Sequence, residues 1–582
     1  RFMALPSEVI IATIELIPKI FDEALEVMDA LVPQRMRWGS GEETFVRPVQ
    51  WIVALLGTKV VPIRRFGLQS GNKTFGHRFH APKAIVLKSP AAYEKQLTAA
   101  KVWADFDTHK AEIRRLVEAE AARLGGCARI TEQLLDEVTA LVEWPVVISG
   151  RMEQRFMALP SEVIIATIEH NQRYFPVFAG PVFGVENRLL PHFITISNVE
   201  SRDATQIVVG NERVVRPRLS DALFFWDQDR KKPLSDHLAA LGKVTFQKKL
   251  GTVADKSSRI KTIASKIAEL VPADIDAVER AATLCKADLV TRMVYEFPEL
   301  QGIMGSYYAK SSGETEEVAS AIGDHYRPTQ SGGPIPASMA GRVLALADKL
   351  DTLAGIFATG QKPTASKDPF ALRRAALGVL RILIEAELDL DLGELLGSVT
   401  QLQPGVKNAA LLVNELLQFH WDRLRSHYTD AGVAVEVFEA VMTTGATRPL
   451  DIHRRIRAVE AFMRLPEARK LAAAHKRVRN ILRGAEGQVA PACDPTKFAD
   501  APEQALHQET LRLKAEVTAL SLRRDYAVAM TRLADIQPAV DRFFDTTMVM
   551  AEDRELRANR LALLSELDVL CRTVADISCL PG

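Results

Sequence analysis

Two stretches of this sequence carry residues whose types and spacing suit binding to phosphate. The first runs from Asn198 to Lys261, NVESRDATQIVVGNERVVRPRLSDALFFWDQDRKKPLSDHLAALGKVTFQKKLGTVADKSSRIK. Between Asn211 and Lys261 it holds twelve Lys and Arg against six Asp and Glu, in a chain whose formal net charge is only +1. Arg213, Arg216, Arg218, Arg230, Lys231 and Lys232 bracket the aromatic cluster Phe224, Phe225 and Trp226. Such a surplus suits a phosphate-rich partner, and the plain alternative is a solvated basic face beside a small aromatic core. The second stretch, Val441 to Glu486, holds eleven Lys and Arg against four acids. At about 100° per residue, a helix through HKRVRNILRG gathers Lys476, Arg479, Asn480 and Arg483 on one face, opposite Val478, Ile481 and Leu482. A merely soluble face mixes signs. This one carries no acid, so the expectation is that one side packs and the other meets phosphate.

Other chemistries find little support. The sequence has no G-x-x-x-x-G-K-[ST] loop, no G-x-G-x-x-G, no H-E-x-x-H, and neither H-I-G-H nor K-M-S-K-S. FGHRFH, Phe75 to His80, clusters two His and an Arg without carboxylates or thiols at ligand spacing, which favours a structural or RNA-facing role over metal. Cys127, Cys285, Cys493, Cys571 and Cys579 are scattered, odd in number and form no C-x-x-C, and read as reduced thiols. The most apolar run, PVQWIVALLGTKVVPI, is interrupted by Gln50, Thr58 and Lys59 and is shorter than the roughly 18 residues of a membrane span.

The elements that would position these residues follow from periodicity. At 582 residues and 47% hydrophobic, the chain is long enough for about three to five domains. LIPKIFDEALEVMDALVP reads as a helix, and Val49 to Leu56 with Lys59 to Ile63 reads as a hairpin or a sheet corner about Gly57. Ala91 to Leu124 reads as a long, charged helical stretch, an exposed arm or a hairpin, and LVEWPVVISG and FPVF read as strands. This makes an α/β body over 16–262. Helical patterns take over from about Ile263. In SKDPFALRRAALGVLRILIEA, Asp368 is expected as N-cap and Pro369 as the first helical residue. Arg373, Arg374 and Arg381 form a stripe on that otherwise apolar helix, expected to pair at a domain junction rather than to contact RNA. Residues 1–15, RFMALPSEVIIATIE, are identical to residues 155–169. A copy that appears twice without drift is unlike a genuine repeat architecture, and the first copy is expected to be out of native context.

NVESRD, GNERVVRPRLSDALFF, DRKKPL and FQKKLGTVADKSSRI resemble, in order and spacing, the bacterial glycyl-tRNA synthetase beta subunit family. The second copy of the 15-mer continues into HNQRYFPVF as that family does, and the family has a further N-terminal region before the match near Leu16. The resemblance implies a multidomain α/β plus mainly α fold: an α/β body at 16–262, an HD-like helical domain at 263–395, a helical linker at 396–444, and a helical anticodon-binding domain at 445–582. Where a working HD phosphohydrolase has its adjacent His-Asp pair, this chain has Lys286, Ala287 and Asp288, with Asp324, His325 and Asp348 further on. Without the central imidazole, a metal-free relic is expected over a metal-dependent hydrolase. FFDTTMVMAEDRELRANRLALLSEL resembles the end of the anticodon-binding domains of several synthetases, where Arg557 and Arg560 would reach tRNA or pair with Asp541 or Asp545. The family places glycine and ATP chemistry on a separate alpha subunit. The expectation is therefore a noncatalytic, cytoplasmic, tRNA-Gly-binding subunit of an α2β2 assembly, with no cofactor or metal of its own, ATP and Mg used by the complex, and no DNA or membrane partner. An RNA-binding scaffold without an alpha partner stays open as the alternative.

Overall fold

The computed structural model describes residues 7–32, 34–180, 188–364, 367–485 and 489–582. The chain divides into two compact units, Arg1–Gln228 and Asp229–Gly582. Of the first copy of the 15-mer, residues 1–6 lie outside the described residues. Ser7 onward belongs to helix α1 (Ser7–Leu31), which includes the helix expected from Leu16.

The first unit is organised on a four-stranded antiparallel sheet of β1 (Cys127–Ala128), β2 (Val146–Arg151), β3 (Phe175–Phe178) and β4 (Leu189–Ser197), in the order β2-β4-β3-β1. The FPVF and LVEWPVVISG strands are where sequence placed them. The charged stretch, expected as an exposed arm or a hairpin, forms two helices, a short one, Tyr93–Ala99, and α2 (Phe106–Arg123), separated by Lys101 at φ 62°, and α2 is not fully exposed. Ile113, Val117 and Ala121 recur every fourth residue along α2 and are buried with Leu134, Leu135 and Val138 of α3 (Glu132–Leu141) against Phe175, Val177 and Ile194 of the sheet. A narrow apolar stripe among charges is enough to dock a helix, because only one face needs to leave water.

The Gly57 hairpin forms, but its ladder is only Leu55–Leu56 with Lys59–Val60, and Gly57 takes the positive φ of 59° the turn needs. The second copy of the 15-mer is core: Phe156, Val163, Ile164 and Ile168 are fully buried. FGHRFH is structural. His77 is buried, and its Nδ1 accepts from the backbone N–H groups of Phe79 and His80, so its Nε2–H donates to the Asn198 carbonyl at 2.7 Å.

The unit ends in α4 (Ala204–Asp229), whose last residue opens the next unit. Asn211 accepts from the Tyr174 hydroxyl, and Glu212 accepts from the Arg151 backbone N–H on β2, fixing α4 on the sheet body.

The second unit is helical apart from a two-stranded ladder, Thr245–Gln247 with Gly251–Thr252. A reciprocal cap between Thr252 and Asp255 starts α5 (Val253–Ala268). α6 (Met339–Ala358) is buried along most of its length. α7 (Leu372–Glu385) starts three residues later than the Asp368-Pro369 signal predicts, after Ala371 in left-handed conformation at φ 51°. Asp368 still satisfies the helix start, accepting from the N–H groups of Leu372 at 2.8 Å and Arg373 at 3.0 Å. After α8 (Ala409–Asp430), the C-terminal part is a bundle that includes α9 (Pro449–Phe462), α10 (Ala468–Gly484), α11 (Ala501–Leu522) and α12 (Arg554–Cys571). No helix among the described residues is long and apolar enough to cross a membrane.

Candidate nucleic-acid interface

Helix α10 buries Ala468, Leu471, Ala472, His475 and Val478 on one side. Lys476, Asn480 and Arg483 are exposed, and neither Lys476 nor Arg483 has an ion-pair partner among the described residues. Arg469 and Lys470, one to two turns earlier, are exposed and unpaired as well; they lie seven residues before Lys476 and Arg477, so the same wheel reaches them. Arg477 lies over the Phe544 ring, 4.4 Å from its centroid.

Arg479 departs from the sequence reading. It is half-buried, and its guanidinium pairs with the fully buried Asp576 carboxylate and reaches Asp568 at 3.8 Å. Asp568 also accepts from His475 Nε2 at 2.8 Å. Burial alone would raise Asp568, but the His475 hydrogen bond and the charges of Arg479 and Arg572 hold it below its ordinary value. Arg479 therefore fastens α10 to the chain end instead of facing phosphate.

Arg560 is corrected likewise. It is buried, donating to Glu503 at 2.5 Å, Asp500 at 3.1 Å and the Met548 carbonyl at 2.7 Å. It pairs internally, though with the acids that start α11 and not with Asp541 or Asp545. Arg557 is half-buried and donates to the Ala551 carbonyl at 3.1 Å.

In the first basic stretch, Arg213, Arg216 and Arg218 are exposed on α4, and Arg216 pairs with Glu153 at 2.5 Å. Phe224 is 51% exposed while Trp226 is buried, so the aromatic cluster is split between surface and core. Asp221 and Asp227 are exposed on the same helix, so its surface mixes signs where α10 does not. Arg230, Lys231 and Lys232 are exposed but belong to the second unit. Part of the basic surplus is not surface at all. Lys256 is buried, and its ammonium meets Asp348 at 2.8 Å and Asp351 at 3.1 Å; Arg259 donates to Asp351 at 2.7 Å.

These pairs belong to a buried charged cluster around Lys286. Lys286, also buried, places its ammonium 2.8 Å from Asp348 Oδ2 and 2.8 Å from His325 Nε2, with the Tyr326 ring centroid 3.9 Å away. A lysine only donates, so His325 Nε2 accepts and its Nδ1–H donates to the Ile322 carbonyl at 2.6 Å. Burial and the Lys286 charge hold His325 well below its ordinary value. Burial would raise Asp348, but Lys256 and Lys286 hold its carboxyl well below the usual range. Asp288 is drawn off elsewhere: its Oδ2 accepts from the N–H groups of Gly302 at 2.6 Å and Gly305 at 3.0 Å, and burial pushes it up to about 6. The arginine stripe of α7 mostly holds backbone: Arg373, Arg374 and Arg381 donate to the carbonyls of Thr364, Thr329 and Gly333.

Residues 1–443 match the family model of the glycyl-tRNA synthetase beta subunit, and residues 471–576 match that of the DALR anticodon binding domain. The glycine–tRNA ligase beta subunit of Chromohalobacter salexigens is 48% identical over 97% of this chain and 81% of its own length. Those of Pseudomonas putida and Marinobacter nauticus are each 46% identical over 98% of this chain, and over 82% and 81% of their own lengths. The chain belongs to the glycyl-tRNA synthetase beta subunit family. It is thus a subunit of an aminoacyl-tRNA synthetase, as the motifs from NVESRD to DKSSRI imply. In this beta subunit the anticodon-binding match takes in Lys476, Arg479, Asn480, Arg483, Arg557 and Arg560, while Arg213 to Lys232 and the Lys286 core fall within the beta-subunit match.

Proposed function

We propose that this chain is the tRNA-Gly-binding partner of a separate alpha subunit in a cytoplasmic α2β2 glycine–tRNA ligase. ATP, Mg and glycine are handled on the alpha subunit, and this chain carries no catalytic residue. The observation that supports this reading best is the outward side of α10, a basic and acid-free surface inside the segment similar to an anticodon-binding domain. Structured RNA is held largely through backbone and shape, and unpaired ammonium and guanidinium groups at helical spacing suit that contact. Arg213 and Arg218 offer a second contact on the mixed-sign surface of α4, and Lys231 and Lys232 are separate candidates in the second unit.

The HD-like core is read as holding no divalent cation. Lys286 already donates to both His325 and Asp348, and the Lys256 and Lys349 ammonium groups crowd the same helix, so a cation there meets three positive charges.

The test is tRNA-Gly binding over a salt series. Lys476→Ala with Arg483→Ala removes two unpaired charges and nothing from the core. Affinity should fall and the log–log salt slope should flatten by up to about two units, one for each lost phosphate contact. A double variant that binds as tightly as the parent at every salt concentration would show that the face is merely solvated.

A further inference from the structure

Cys493 lies in the connection between α10 and α11, shortly before a 3-10 turn at Pro495–Lys497, and α11 and α12 bring two more ligand types to it. The Cys493 thiol, a ring nitrogen of His507 on α11 and a carboxylate oxygen of Glu566 on α12 all lie within 4.8 Å of one another. We propose that these three residues form a zinc site that ties this connection to α11 and α12.

Two buried polar atoms point to a missing partner. His507 is 8% exposed; its Nδ1 and the Glu566 Oε2 face each other at 3.4 Å, and neither atom makes a hydrogen bond. Buried polar atoms are rarely left so, and a shared cation satisfies both at once.

The donor set selects the ion. One thiolate, one imidazole and one carboxylate suit zinc, whereas Mg²⁺ and Ca²⁺ take oxygen ligands. Bond lengths of about 2.0–2.3 Å set tetrahedral ligand edges of roughly 3.3–3.8 Å, so closure from the present spacing requires shifts of about 1 Å. The connection is already pinned beside the site: the Asp494 N–H donates to Asn559 Oδ1 at 2.7 Å, and Asn559 Nδ2 donates to the Asp494 carbonyl at 3.0 Å. Three protein ligands leave a fourth position for water.

The experiment strips the full chain of metal with chelator and titrates it with Co²⁺, then competes with Zn²⁺. The expected result is one equivalent of cobalt with a thiolate-to-cobalt charge-transfer band and intense four-coordinate d–d bands, both displaced by zinc. Cys493→Ser should lose the charge-transfer band, while Cys127→Ser should keep it. His507→Gln and Glu566→Gln should each weaken cobalt binding at least tenfold. Zinc should raise the thermal midpoint of the parent and not that of Cys493→Ser. Absence of the band in the parent, or a band that survives in Cys493→Ser, overturns the proposal and leaves a His507–Glu566 ion pair only. The parent titration decides the matter even if a variant folds poorly.

Discussion

Replacing Lys286 by Met tests whether its ammonium holds the buried cluster of His325 and Asp348 together. Methionine keeps an unbranched chain of similar length, so no large cavity opens and only polar contacts are lost. The first loss is the charge-assisted bond to Asp348, worth about 1.5–3 kcal/mol. The second leaves the fully buried His325 Nε2 without its donor, a further cost of about 1–3 kcal/mol. Asp348 is not orphaned, because Lys256 stays 2.8 Å from its other oxygen, which keeps the sum near 3–5 kcal/mol, the range for breaking a buried pair. A chain of two units need not unfold in one step, so the readout is hydrogen exchange along α6, which carries Asp348. Its most protected amides should exchange roughly two to four orders of magnitude faster in Lys286→Met. The exposed Lys231→Met is the control and should leave them unchanged. Protection in Lys286→Met equal to that of the parent would refute the assignment of the ammonium as the element holding His325 and Asp348.

Two more outcomes follow from the buried networks. Arg479→Ala should destabilise the C-terminal bundle by about 2–4 kcal/mol in urea unfolding, since it leaves the buried Asp576 carboxylate to Ser578 alone at hydrogen-bond distance, and Asp576→Asn combined with it should recover part of that loss; equal stability of Arg479→Ala and parent would return Arg479 to the phosphate face. His420 is fully buried on α8, and burial lowers it to about 4 from 6.5. Between those values the unfolded chain binds the proton and the folded chain does not, so stability rises with pH across this window and is lost on acidification, by up to about 3 kcal/mol. His420→Leu should flatten the stability profile between pH 4 and 6.5, and a variant with the parent's slope there would contradict the assignment.

How far sequence reached depended on whether the deciding partner was local. The amphipathic character of α10 was readable because Lys476, Asn480 and Arg483 recur at helical spacing against Val478. The fate of Arg479 was not readable, because its partner Asp576 lies in the last turn of the chain and carries no signal near position 479. Arg560 was legible as a core-edge arginine but not as the partner of Glu503 and Asp500, which precede it by 57 and 60 residues. Charge counting overstated the first basic stretch for the same reason: Lys256 and Arg259 are spent inside the fold on Asp348 and Asp351. In the body, the β3 and β2 strands were visible in short apolar runs, whereas the buried face of α2 was not, because Ile113, Val117 and Ala121 are diluted by charges on either side. That Lys286 stands where an HD-type site would need an imidazole was an expectation from sequence alone. That Lys286 takes its place between His325 and Asp348 needed three dimensions.

The most direct test of the central claim is glycylation of tRNA-Gly by purified alpha subunit, by this chain, and by the two together. The account predicts charging that requires the mixture, with no glycine-dependent pyrophosphate exchange by this chain alone. Exchange by this chain alone, or a mixture that charges no faster than the alpha subunit by itself, would contradict it.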